Sequence, residues 1–284
     1  MVGLTEQVEA GEEAPQDLAL PTTHGELIII GGAEDKEGDC KILREFVRRS
    51  GGLQARIAVM TVATGLPGEV GAQYIDIFHR LGVDEVKVVD TDRREDASNE
   101  RAIEIIQQAT GVFFTGGNQA RITELLKDTE LDAVLHKRFA EGVVIAVTSA
   151  GAAMMPDMMI VEGEAETNPR PEVAQMDRGM GFLPGVVIDQ HFAQRGRLGR
   201  LLSAVAQQPV VLGFGIDENT AIVVKGSEIE VVGDGAVTVV DVANLTHNNV
   251  EKLLKDEPLA LCGVKLHILP DGYRFDLNTR SCIC

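Results

Sequence analysis

The sequence predicts an α/β fold: a mostly parallel sheet with helices on both faces, a nucleophile-elbow turn, and a β-rich C-terminal part. Three observations carry this expectation. Short β-branched apolar runs alternate with segments of helical spacing from residue 26 to about residue 216, the order that builds a parallel sheet buried on both faces. Small-residue turns follow three of those runs, at Gly31-Gly32, Gly116-Gly117 and Ser149, and ligands of such sheets lie outside the carboxyl ends of the strands. Beyond residue 220 the helical spacing gives way to strands split by short glycine turns.

Residues 1–24 are acidic and polar and read as a flexible tail. No linker interrupts the remainder, so 25–284 reads as one catalytic α/β domain with a β-rich extension. A strand over 26–30 runs into Gly31-Gly32-Ala33-Glu34-Asp35. Neither G-x-x-x-x-G-K nor G-x-G-x-x-G is present, so these glycines suit a loop passing close to a site better than a nucleotide cradle. Residues 40–50 have helical spacing through Ile42, Leu43, Phe46 and Val47, with a stop at Gly51-Gly52. A strand over 56–61, a helix over 74–81 closed by Gly82, and a strand over 85–89 follow. Ser98-Asn99 opens a helix through Ile103, Ile105 and Ile106. Residues 111–115 form a strand that ends in Gly116-Gly117-Asn118-Gln119, and 122–140 supply one or two helices.

The run Val143-Val144-Ile145-Ala146-Val147-Thr148 is the next buried strand, and Ser149 stands where it turns into Ala150-Gly151-Ala152-Ala153. A serine at such a corner is held clear of the sheet. Its small neighbours leave backbone N–H groups free to face an oxyanion. Val147 occupies the place of the first glycine of G-x-S-x-G, so the motif alone fits a serine that merely caps a core helix equally well.

Residues 161–179 are polar and proline-bearing and read as an exposed loop near the site. A strand over 185–190 delivers His191, and Arg195, Arg197 and Arg200 follow in a segment that becomes helical through Leu198, Leu201, Leu202 and Val205. A strand over 210–216 leads to Asp217-Glu218. Strands over 222–224, 229–232 and 237–240 come next, with hairpin-scale turns at Lys225-Gly226 and Asp234-Gly235, and the last strands lie near 264–269 and 273–277.

Composition narrows the function. The chain of 284 residues is 44% hydrophobic but only 4% aromatic, without Trp, so its core is aliphatic. A net charge of −18 repels phosphate and argues against nucleic acid as a partner. Cys40 stands far from Cys262, Cys282 and Cys284, which is no disulfide framework, and no Cys/His cluster completes a metal site. The N-terminus lacks a signal pattern and no apolar run reaches membrane-spanning length. The chain reads as cytoplasmic, with no membrane partner.

A serine hydroxyl needs a neighbouring base, and His191 is the candidate. A carboxylate must fix the imidazole tautomer. Asp189, Asp217 and Glu218 are near in sequence, and Glu218 is preferred because it follows a small-residue strand end. A carboxylate close to the ring would raise the histidine pKa. The backbone N–H groups of Gly117 and Ala150 would form the oxyanion hole. Arg195, Arg197 and Arg200 would grip substrate carboxylates, while Asn118, Gln119, Thr167, Asp189 and Gln190 would complete the substrate-binding surface. Each feature alone has a bland reading: a satisfied histidine, turn acids, a solvated arginine face. Their combination at successive strand ends in one sheet points to a hydrolase.

The segments Phe113-Phe114-Thr115-Gly116-Gly117-Asn118-Gln119, Thr148-Ser149-Ala150-Gly151-Ala152, Asp189-Gln190-His191-Phe192 and Gly215-Ile216-Asp217-Glu218-Asn219-Thr220-Ala221 resemble the cyanophycinase family. These serine peptidases are related to α-aspartyl dipeptidase. The likeness runs from about residue 25 to at least residue 240. It implies Ser149 as nucleophile, His191 as base and Glu218 as its orienter. It also implies hydrolysis of cyanophycin, an arginine-bearing polyaspartate, to β-Asp-Arg dipeptides by a homodimer without metal or organic cofactor. An α-aspartyl dipeptidase or other small-peptide hydrolase on the same fold is the alternative enzyme, and a non-catalytic binding protein is the alternative of another class. A glutamine amidotransferase would carry cysteine at position 149.

Overall fold

The computed structural model describes residues 25–165, 167–208, 211–254 and 257–283. The acidic stretch 1–24, Val210 at the start of an expected strand, and Cys284 lie outside the described residues.

The first half alternates β1 (Leu27–Ile30), α1 (Lys41–Arg49), β2 (Arg56–Met60), α2 (Pro67–Arg80), β3 (Glu85–Val89), α3 (Glu100–Gln108), β4 (Gly111–Phe114), α4 (Gln119–Leu126), α5 (Glu130–Ala140), β5 (Val144–Thr148) and α6 (Ala150–Met154). Then come β6 (Met158–Gly163), β7 (Ala174–Arg178), β8 (Val186–Gln190), α7 (Leu198–Gln207), β9 (Leu212–Ile216), β10 (Thr220–Lys225), β11 (Glu228–Gly233) and β12 (Ala236–Asp241). The chain finishes with β13 (His247–Asn248), β14 (Leu261–Cys262), β15 (Lys265–Pro270), β16 (Arg274–Asp276) and β17 (Ser281–Ile283).

Among the described residues a nine-stranded sheet runs β17-β16-β11-β10-β1-β5-β4-β2-β3. Its β1-β5-β4-β2-β3 half is parallel, and β10, β11, β16 and β17 extend it antiparallel. Alternate side chains of the parallel strands serve opposite faces. Ile28, Ile30, Ile57, Val59 and Phe113 pack under α1 and α2. Leu27, Ile29, Met60, Val112 and Phe114 pack with Ile103, Ile106, Ile122, Leu135 and Phe139 of α3, α4 and α5. The helices do cover both faces, as the apolar pattern predicts.

A second sheet, β15-β12-β9-β8, shares the latter core through Val186, Ile188, Phe214, Ile216 and Val237. Its other face carries Val187 and Val240 against Leu201, Ala204 and Val205 of α7. The strands bearing His191 and Glu218 therefore belong to this second sheet, which corrects the expectation that they share one sheet with Ser149. β8 and β9 are parallel neighbours in register, so the residues that follow them emerge side by side.

Three further expectations are corrected. Helix α2 starts at Pro67, seven residues before the expected Tyr74, with Pro at its first turn and Glu69 behind it. Its early turns are glycine-bearing because Gly71 lies against Val88, where a Cβ would be 3.1 Å from the valine. Residues 161–179 are not all loop: β6 and β7 pair antiparallel across a bulge between Ile160 and Glu162, with the proline segment between them. Asp234-Gly235 does not close a hairpin, since β11 pairs in the first sheet and β12 in the second.

Candidate active site

The site begins with backbone geometry at Ser149. Thr148 ends β5 in register with Ile30 of β1, and the Ser149 N–H donates to the Ile30 carbonyl at 3.0 Å. Ser149 itself turns to φ +54°, ψ −110°, outside the regions open to ordinary L-residues. A conformation of that kind costs about 1–3 kcal/mol and persists where the surroundings over-determine it. The valine in place of the first elbow glycine is accommodated by the second: a Cβ on Gly151 would stand 2.9 Å from the Val147 Cβ.

The neighbouring strand end supplies the wall. Gly116 lies against the serine, with space for a Cβ only 3.3 Å from its Cβ. Gly117 follows at φ +151°, where a Cβ would collide with the Ala63 carbonyl at 2.0 Å. Glycine is thus required there, and the residue lies exposed in the turn. Ala150 is the first residue of α6, so its N–H precedes any intrahelical partner. Among the described residues neither N–H donates to a backbone carbonyl.

His191 reaches Ser149 from the second sheet. Its Nε2 stands 2.9 Å from Ser149 Oγ, and its Nδ1 stands 2.6 Å from Glu218 Oε1. With the proton on Nδ1, the ring donates to Glu218 and accepts from the serine hydroxyl. His191 also has a positive φ, +48°. The Gly31-Gly32 turn ties down the segments that follow the neighbouring strands β8 and β9: the Gly31 carbonyl accepts from His191 N–H at 2.8 Å, and the Gly32 carbonyl from Asn219 N–H at 2.9 Å. Phe192 is seated by Gly215, where a Cβ would lie 2.5 Å from its ring.

Burial pushes the His191 pKa below its ordinary value, with Arg195 and Arg197 acting in the same direction. The Glu218 bond and charge pull it upward but do not prevail, which reverses the direction expected from the sequence. The imidazole is therefore neutral near pH 7, the state a general base requires.

The remaining sequence-chosen residues divide. Asp217 is committed to backbone, accepting from Ala193 and Ala236 N–H. Asp189 is buried and binds Arg200 through both carboxylate oxygens, with Arg197 Nη1 at 3.3 Å. Arg197 also donates to the Gln190 carbonyl at 2.5 Å and to Gln190 Oε1 at 3.1 Å. Arg200 donates to the Gly163 carbonyl. Both guanidinium groups thus point into protein, whereas Arg195 is exposed. Asn118 caps α4 through its Oδ1. Gln119 donates to the carbonyls of Ile160 and Val161 on β6. Thr167 accepts from Arg170, and its carbonyl lies where a Cβ on Gly199 would collide. Glu34, which the sequence does not single out, is buried beside the elbow and accepts from Thr148 Oγ1. Its burial is invisible in the sequence, where it reads as an ordinary loop acid. Among the described residues no group of three or more His, Cys, Asp or Glu could hold a metal ion. No helix of the described residues is long and apolar enough to cross a membrane.

Residues 27–232 match peptidase family S51. Cyanophycinases of Trichormus variabilis and Geminocystis herdmanii are each 40% identical over 257 residues, 90% of this chain and 86% and 94% of those proteins. A solved peptidase from an acI-B1 actinobacterium shares the fold, with a TM-score of 0.66 at 19% identity over 90% of this chain and 98% of that one. The match spans both the parallel strands around Ser149 and the strands that bring up His191 and Glu218, and the chain belongs to peptidase family S51 as a serine peptidase.

Proposed function

We propose that the chain hydrolyses cyanophycin through Ser149, His191 and Glu218 and releases β-Asp-Arg dipeptides. The observation that carries the reading is the unbroken chain of hydrogen bonds from Ser149 Oγ through His191 to Glu218. The substrate is taken from the cyanophycinases that share 40% identity over most of their length.

In this reading His191 Nε2 takes the hydroxyl proton as Ser149 Oγ attacks a backbone carbonyl of the polyaspartate. Glu218 holds the Nδ1 proton and steadies the imidazolium. The developing oxyanion accepts from the N–H groups of Gly117 and Ala150. The imidazolium then protonates the leaving amine, and the C–N bond breaks to leave an ester on Ser149. Water then attacks that ester as the same imidazole takes its proton, and the imidazolium returns the proton to Oγ as the ester C–O bond breaks and the acid product leaves. Arg195, exposed and four residues past the base, is assigned to a substrate carboxylate. Arg197, Arg200, Asp189 and Gln190 hold the segment that carries His191, and Asn118, Gln119 and Thr167 shape the rim. Residues 25–284 act as one catalytic unit, and the chain works as a homodimer.

The test is incubation of the protein and of Ser149→Ala with cyanophycin and with α- and β-linked aspartyl dipeptides, products being identified by mass. β-Asp-Arg from cyanophycin with the wild type alone supports the reading. Cleavage of α-aspartyl dipeptides with cyanophycin untouched overturns the substrate, and full activity in Ser149→Ala overturns the nucleophile.

A further inference from the structure

Glu34 is a carboxylate in a place where carboxylates are costly. It is 4% exposed, and burial of such a charge is tolerated only where donors replace its water. Three donors surround it. Thr148 Oγ1 donates to Oε2 at 2.5 Å, the Tyr74 hydroxyl donates to Oε1, and Lys36 Nζ stands 3.5 Å from Oε1. Tyr74 is itself buried on α2, with its ring centroid 4.7 Å from that of Phe113.

The position of these groups matters more than their number. Thr148 is the residue immediately before Ser149, whose φ of +54° needs external support. One support is the Ser149 N–H bond to Ile30, and Glu34 supplies another through the preceding side chain. Glu34 also lies two residues after Gly32, which touches the His191 ring and accepts from Asn219 N–H. A single carboxylate therefore joins the loop that seats the base to the strand end that presents the nucleophile. The charge state of His191 is set chiefly by burial, Glu218, Arg195 and Arg197, so the contribution of Glu34 is geometric.

We propose that Glu34 is a positioning residue for Ser149, its buried carboxylate fixing Thr148 and the elbow relative to the loop on which His191 rests. The proposal rests on the reading of Ser149 as nucleophile. Its test uses Glu34→Gln, Thr148→Val, the double variant and Thr148→Ser, with three readouts: steady-state turnover of cyanophycin, acylation of Ser149 by a small uncharged fluorophosphonate, and melting temperature. Misplacement of an attacking atom by an ångström costs up to about 100-fold, so kcat in Glu34→Gln should fall about 10- to 100-fold, with acylation falling in proportion. KM should change by less than about twofold, since ground-state binding is not touched. Thr148→Val should show the same loss, the double variant should be no worse than the worse single, and Thr148→Ser should recover most of the rate. Wild-type acylation rates in folded Glu34→Gln, with only the melting temperature lowered, would overturn the proposal. So would losses that multiply in the double variant. If Glu34→Gln folds poorly, the nearly isosteric Thr148→Val carries the test, and a wild-type acylation rate in that variant overturns the proposal equally. Failure of the wild type to be labelled at Ser149 would instead remove the nucleophile assignment, and this inference with it.

Discussion

The His191 imidazole rests on the bare backbone of Gly32: a Cβ there would stand 2.4 Å from ring Cε1 and 2.5 Å from Nε2. Gly32 also has φ +104°, a conformation open to glycine at little cost. Gly32→Ala should push the ring away from Ser149 Oγ. Turnover and fluorophosphonate acylation should both fall by about 100-fold, with the far-UV circular dichroism unchanged. Full turnover in this variant would mean that the ring has another seat.

The pH dependence follows from the direction of the His191 shift. In the proposed mechanism His191 must be neutral to act as base, and burial holds its pKa below the ordinary 6.5. The acid limb of kcat/KM should therefore lie below pH 6.5, with a plateau through neutrality. Arg195 and Glu218 pull in opposite directions. Arg195→Gln should move the limb to higher pH, an effect that shrinks in high salt because Arg195 is exposed. Glu218→Gln should move it to lower pH and cut the plateau by up to about 10⁴-fold, since the tautomer is no longer fixed. The same shift bears on stability. The unfolded histidine takes up a proton more readily, so the contribution of His191 falls as pH drops from 6.5 through the folded-state pKa.

Asp189 is the shared ion-pair partner of two guanidinium groups that are 8% and 7% exposed. Asp189→Ala should destabilise the fold by about 3–5 kcal/mol, read from urea denaturation, because both charges lose their buried partner. Arg200→Lys keeps the charge but loses the fork, and should cost about 1.5–3 kcal/mol. Its kinetic effect should be shared by cyanophycin and the uncharged probe, as befits support of the His191 segment. Loss confined to cyanophycin would make Arg200 a substrate contact.

Phe113 packs against Phe46, Tyr74 and Phe78, with centroids at 5.7, 4.7 and 5.5 Å. Phe113→Ala should lower stability by about 3–5 kcal/mol through the cavity it leaves. The kcat of the folded fraction should survive, which a chemical denaturation series with parallel activity measurements would establish.

Local pattern makes much of this legible. The strands from β1 to β5 announce themselves as apolar runs and Ser98-Asn99 as a helix start, whereas the capping of α4 by Asn118 is seen only in the structure. Ser149, His191 and Glu218 can each be named because each lies within two residues of the end of a strand. What is not legible depends on partners distant in the chain. The sequence does not say that β8 and β9 leave the first sheet, since a fully buried parallel strand reads the same in either. The arginines after His191 read as a ligand-gripping cluster because the orientation of Asp189 is a tertiary fact. The direction of the histidine shift is hidden for the same reason: a nearby carboxylate can be guessed from sequence, but the desolvation that outweighs it cannot.

The division of the hydrogen-bonded trio between two sheets makes activity an assembly signal. In the proposed mechanism, a refolding chain that has formed only the five parallel strands would hold the serine without its base. On that mechanism, competence should arrive when the strands of His191 and Glu218 dock and the Gly31-Gly32 turn accepts from the N–H groups of His191 and Asn219. Enzymatic rate should therefore return as the last observable in refolding, after secondary structure. In mild denaturant it should vanish first, by an opening of the seam between the sheets that leaves most of the parallel half intact.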